Sequence, residues 1–222
     1  MSKTTIPAGG LSGVLPSGLT VGSAAEEDTK VVFDGNAQDF HIGLDDSADD
    51  LVIGKGSALG TTAHIVTDEN GHVTKPLQTA FLAVNDGSDS ITNATETTIA
   101  LDTEIFDVNA DVSSNTFTAP VTGKYFLSGQ VRLDAGSSAN TRFNRVYMEF
   151  QCSNRDARFE FGQNYTDEDD RMAVTGSLVM DMDANDTALL RIFASRNGAS
   201  GATDTNGSSS NAVTFFSGFL LG

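Results

Sequence analysis

From Thr79 to Leu221 the sequence is a succession of strand-like runs with no helical period between them, which leaves few folds open. The runs are Thr79–Val84, Thr98–Phe106, Asn115–Ala119, Lys124–Leu133, Arg142–Cys152, Arg158–Phe161, Met172–Met182, Ala188–Ala194 and Val213–Leu221. Their alternation is clean in places. Leu178, Met180 and Met182 point one way while Val179, Asp181 and Asp183 point the other, and Ala188, Leu190 and Ile192 share a face. About nine strands in one stretch predict an all-β sandwich or jelly roll.

Composition agrees. Gly is abundant at 22, Trp is absent and only 19% of residues are charged, so tight turns are easier to build than helices. The formal charge of −17 argues against nucleic acid, whose phosphates need clustered Lys and Arg, and against an anionic bilayer. It favours solubility. No run of about 18 apolar residues is present, so no membrane insertion is expected. Met1–Gly10 lacks the apolar core of a secretory signal, so synthesis in a cytoplasm is expected. Cys152 is the single cysteine and sits in a strand-like run, which predicts a buried, reduced thiol.

The first 75 residues have a different texture. Residues 1–30 are rich in Gly, Ser, Thr and Ala, with Pro7, Pro16 and a few apolar residues such as Ile6, Leu11 and Leu19. Such a segment buries too little to order alone and reads as an extended arm that orders on a partner. Residues 31–75 hold the short runs Val31–Phe33, Phe40–Leu44, Leu51–Gly54, Ala63–Val66 and His72–Val73, split by Asp/Gly turns, with Asn70-Gly71 as a hairpin signal. These pieces are too short to back a core of their own, and three copies winding together would bury them. A short β-collar or stalk is expected.

Several segments carry a resemblance. Ala80-Phe81-Leu82-Ala83, then Phe117–Leu127 with Gly123 and Tyr125, then Gly176-Ser177-Leu178 and the ending Phe216–Leu221 stand in an order that resembles the globular head of the first complement component and the tumour-necrosis-factor-like jelly rolls. The resemblance covers residues 76–222. It implies a homotrimer that binds surfaces without chemistry, with Phe81, Tyr125, Phe216 and Phe219 as core or trimer-axis packing residues. Asn185 stands in the turn Asp183–Asp186 where the family usually has Gly, and Asn also tolerates positive φ. Phe106-Asp107 lies farther from Phe117 than the pattern expects, so an insertion is predicted there. Asp34–Ser47 and Asp50–Gly54 resemble segments of tailed-bacteriophage fibre proteins, and Lys3–Gly10 resembles the start of phage virion proteins.

No catalytic constellation stands out. His41, His64 and His72 all lie in the collar segment, no serine sits in a Gly-x-Ser-x-Gly elbow, and no cofactor is expected. Asp181–Asp186 has the opening rhythm of a calcium loop, but Asp186 replaces the required Gly and Ile192 the final carboxylate, so a hairpin turn is predicted. Asp167, Glu168, Asp169 and Asp170 form a cluster of hard oxygen donors, and the resemblance implies calcium near the apex in some such heads. A solvated acidic loop is the simpler expectation. The polar stretch from Asn197 to Asn211 reads either as a flexible tip or as an exposed contact loop.

The functional expectation is a non-enzymatic homotrimer on a virion surface. The arm would grip capsid or tail proteins, and the head would adhere to a host-surface glycan or protein, as in a tail fibre or spike. Capsid decoration at threefold positions and a secreted trimeric recognition or signalling ligand are the alternatives.

Overall fold

The structure is a computed structural model that describes residues 20–134, 142–161, 171–197 and 203–221. The chain divides into two compact units, Met1–Pro76 and Leu77–Gly222. Most of the expected arm falls outside the described residues, and Thr20–Asp28 contains no strand.

In the first unit β1 (Thr29–Phe33), β2 (Phe40–Asp45), β3 (Asp50–Lys55), β4 (Ala63–Thr67) and β5 (Val73–Thr74) form one antiparallel sheet in chain order. Its turns follow from short polar side chains. Asp45 accepts hydrogen bonds from the Ser47 amide (3.2 Å) and hydroxyl (2.7 Å), and Asp49 supplies the left-handed residue at φ 56°. Between β4 and β5 the Asp68 carboxylate accepts from the Asn70 (2.9 Å) and His72 (2.8 Å) amides, while Gly71 takes φ +85°. The strands pair with one another inside a single copy, so winding of chains is not needed to complete their ladders.

The second unit is a two-sheet sandwich. Its strands are β6 (Ala80–Val84), β7 (Ser90–Ile91), β8 (Glu96–Thr98), β9 (Thr103–Asp107), β10 (Val112–Ser113), β11 (Thr116–Thr118), β12 (Gly123–Asp134), β13 (Arg142–Cys152), β14 (Ala157–Phe161), β15 (Arg171–Met182), β16 (Thr187–Asn197), β17 (Thr203–Thr205) and β18 (Phe215–Leu220). One sheet runs β10-β11-β16-β13-β14 with β8 on β16, and the other β7-β17-β12-β18-β6-β9 with β15 on β12. Most consecutive strands thus lie in different layers, as in a jelly roll. The first and last strands lie side by side, Ala80 opposite Phe219, and the Leu220 amide donates to the Thr79 carbonyl at 3.0 Å.

Aromatic rings fill the space between the layers. Phe81 stacks on Phe117 at 4.7 Å and meets the edge of Phe216 at 5.0 Å; Phe216 in turn lies 5.4 Å from Phe150. Tyr125 packs against Phe117 at 5.5 Å, and its hydroxyl donates to the Val121 carbonyl at 2.7 Å, so its one polar atom is satisfied. Across from these rings Gly129 pairs with Gly176. A Cβ on Gly176 would stand 2.4 Å from the Phe159 ring, so the close seating of that ring requires glycine.

Three expectations change. The run Thr98–Phe106 is two strands in different layers, because the Ile99 amide is drawn to the Leu190 carbonyl (2.9 Å) and the Leu101 amide to the Asn115 side chain (2.7 Å) as the chain crosses over. The turn Asp183–Asp186 forms, with Asn185 at φ 74°, but it joins β15 to β16 across the two layers and closes no hairpin. Part of the polar stretch after Asn197 is β17, whose Thr203 and Thr205 are buried between β7 and β12. The predicted insertion after Phe106 is a 3-10 turn at Val108–Ala110 followed by the β10–β11 hairpin, closed by Ser114 and Asn115 at φ 50° and 66°.

Candidate functional site

The two outward faces of the sandwich are chemically different, and strand parity decides what each displays. On the sheet carrying β12, the inward residues Tyr125, Leu127, Val131 and Leu133 are buried, so Phe126 and Ser128 face out. Phe126 lies opposite Val179 of β15 on one side and Phe219 of β18 on the other, its ring 5.3 Å from Phe219. Val179 and Phe219 are 52% and 43% exposed. One register step along, Ser128 lies between Ser177 and Ser217, so a row of small hydroxyls flanks the apolar row. Nearer the β9 edge, Leu82 faces Phe106. This flat strip, apolar and uncharged at its centre, is suited to packing on another protein surface.

The opposite sheet carries a charged lattice. Arg158 grips the Glu149 carboxylate through Nε (3.0 Å) and a terminal nitrogen (2.8 Å), and its guanidinium lies 3.9 Å over the Tyr147 ring. The Tyr147 hydroxyl donates to Glu96 at 2.7 Å, and Tyr147 stacks on Phe193 at 4.8 Å. Arg191 reaches Glu96 at 3.1 Å, and Arg145 pairs with Glu160 at 2.6 Å. Glu149 is buried with these partners around it, so this face is closed on itself and reads as scaffold.

The lattice makes a pH prediction. The Tyr147 hydrogen bond first, then Arg191 and Arg158, hold the Glu96 carboxyl below its ordinary value of 4.5. A depressed carboxyl stabilises the fold above its unfolded pKa and loses that contribution as pH falls through its folded one. Asp111, raised mainly by burial, works in the opposite sense. Glu96→Gln should therefore melt below the wild type at neutral pH, and the gap should narrow as pH falls from about 5 to about 3. Circular dichroism melts across that range check this.

The sequence-derived residues fall as follows. Phe81, Tyr125 and Phe216 are core residues, whereas Phe219 is on the outward apolar strip. Asp167, Glu168, Asp169 and Asp170 lie outside the described residues. Asp181 and Asp186 are engaged by Arg155 (2.7 Å) and the Ser153 hydroxyl (2.7 Å), and no cluster of three metal-ligating side chains occurs among the described residues. The three histidines are not brought together: His41 bonds the Gly56 carbonyl (2.8 Å), His72 bonds Asp68 (2.8 Å), and His64 faces Phe40. Cys152 is buried, and burial first, with Asp156 and Asp186 adding to it, pushes its thiol up to about 12. It should stay unmodified by a maleimide at pH 8 until the protein is unfolded, as intact mass would report.

Phe126 and Val179 were not singled out by sequence reasoning, although their place was available in strand parity. Phe216 and Phe219 are three apart and must point to opposite faces.

A C1q domain model matches residues 80–221. No curated protein matches. Among solved structures, the globular domain of zebrafish complement 1qA is 16% identical, covering 65% of this chain and 98% of that one with a TM-score of 0.46. Murine APRIL at pH 8.0 is 14% identical, covering 64% and 98% with a TM-score of 0.42. With its jelly-roll sandwich and a domain match spanning most of its length, the chain belongs to the C1q family.

Proposed function

We propose that the protein is a non-enzymatic homotrimer displayed on the surface of a tailed-phage virion, where the C1q domain adheres to a host-surface glycan or protein. The observation that carries the trimer is the Val179–Phe126–Phe219 strip, exposed on a sheet whose other side is already a complete core. With no charge in that row, it is the surface on which a second and third copy pack with least desolvation cost. The closed charge lattice and the scattered histidines support a binding role over chemistry.

The virion setting is supported by the fibre-like residues 34–54. Residues 1–30 are the attachment arm, which recovers its ordering entropy from a long contact on capsid or tail protein. Capsid decoration uses the same parts. The C1q domain taken by itself fits a secreted trimeric ligand equally well.

One experiment separates these. Full-length protein and a version lacking residues 1–30 are incubated with particles that lack the protein, and pelleted. Binding by the full chain alone supports arm-mounted display, with microscopy then separating tail from capsid. Binding by both versions would move attachment to residues 31–222, and binding by neither would favour the secreted ligand.

A further inference from the structure

The sheet of the first unit is finished on one side only. In register, paired residues share a face, so Val31, Phe33, Phe40, Ile42, Leu44 and Leu51 stand together, each 40–56% exposed. The other face is closed by the chain itself. Gly43 lies so near Leu59 that a Cβ would meet its Cδ2 at 2.9 Å, and His41 is fully buried with its Nδ1 2.8 Å from the Gly56 carbonyl. The strand carboxylates Asp45 and Asp50 pair with each other on that closed face. In a chain of net charge −17, the strand residues on the open face of β1–β3 include no acid. The one charge among them is Lys55, opposite Phe40, and Glu26 and Glu27 border the face beside Leu44.

We propose that this face is covered by the same face of two further copies, so that three intact sheets stack about one axis as a triangular prism. Each sheet keeps its own ladder, and only side chains meet.

Three considerations choose a copy of this chain as the occupant. First, the six side chains leave roughly 500 Å² of apolar surface open, at the upper end of what a monomer tolerates and below the about 800 Å² per partner of a free-standing interface. Such a surface needs help to associate. Second, the help is covalent: β5 ends at Thr74 and β6 begins at Ala80, so a trimeric head would hold three sheets within a five-residue reach, about 18 Å, at millimolar effective concentration. Third, copies meeting through this face avoid opposing their strand carboxylates, whereas the closed face would set Asp45 and Asp50 against their counterparts. The inference rests on the trimeric head proposed above.

The test is disulfide trapping in the full chain. Ile42→Cys and Leu51→Cys are made separately, with Lys30→Cys, exposed on the closed face, as the control. The buried Cys152 stays out of the reaction. Mild oxidation followed by a non-reducing gel should give a band of twice the chain mass from Ile42→Cys or Leu51→Cys, joining at most two of three chains because each carries one reactive thiol. Lys30→Cys should give none. Light scattering on the same samples reads the trimer independently. A trimer in which neither face cysteine cross-links overturns the prism while leaving the trimeric head standing, whether the thiols remain open to maleimide or are shielded by another segment. A monomer by light scattering, with no cross-link, overturns both.

Discussion

Phe216→Ala should be the most damaging single substitution in the C1q domain, lowering its stability by about 3–5 kcal/mol and its melting temperature by about 10 °C or more. The ring is fully buried and touches Phe81 on one side and Phe150 on the other, so truncation opens a cavity at the point where both layers share a contact. Flanking strands pinned by hydrogen bonds to β12 and β6 cannot collapse into the hole. Phe216→Leu keeps most of the volume and should cost about 1.5 kcal/mol. With Trp absent, circular dichroism is the convenient readout, compared at equal chain concentration. An unchanged melt for the alanine variant would mean that the aromatic cluster is not the domain's core.

Phe219→Glu should do the reverse, leaving the fold intact and removing the trimer. The side chain is 43% exposed in the single chain, so its loss opens no cavity. At a threefold contact, however, the new carboxylates are desolvated beside the Phe126 ring with no cation opposite; only Lys124, one register step away on β12, is near in sequence. An unpaired charge in such a place costs about 3 kcal/mol or more, a hundredfold in dissociation constant. Light scattering should fall from three chain masses to one at micromolar concentration while the circular dichroism spectrum is unchanged. A variant that remains trimeric would place the contact on another face.

The fold was readable wherever a strand was long enough to show its period. β12, β15 and β16 alternate over 11 or 12 residues and their faces follow from parity alone, whereas in β13 a shift between Phe143 and Arg145 puts both Phe143 and Val146 in the core. The collar strands are shorter but are bounded by Asp and Gly turns that act locally. What stayed hidden was decided by distant partners. Nothing in the run from Thr98 to Phe106 announces a change of layer, because the Asn115 side chain that captures the Leu101 amide lies 14 residues away. β7 and β17 are two and three residues long, too short for a period, and the buried Thr203 and Thr205 look like loop residues in isolation. The charge lattice draws Glu96, Tyr147, Arg158 and Arg191 from four strands, so no spacing could reveal it. The Gly129–Gly176 pair, by contrast, leaves a trace in the sequence, but its reason, the seat for Phe159, needs the opposite layer.

The pairing of Ala80 with Phe219 also settles how the domain can be handled. The first strand of the C1q domain begins and the last one ends at the same rim, while the β12–β15 ladder ends at the other, with Asp134 opposite Arg171. A tag fused directly behind the last strand would leave it beside residue 79, in the crowded zone where Gln78 and Thr79 bond Leu220. A graft meant to be presented belongs instead at the other rim, after Asp134, where the described ladder between β12 and β15 ends. For the same reason, joining the ends with a short linker and reopening the chain after Asp134 should yield a circular permutant that keeps the described strand pairs.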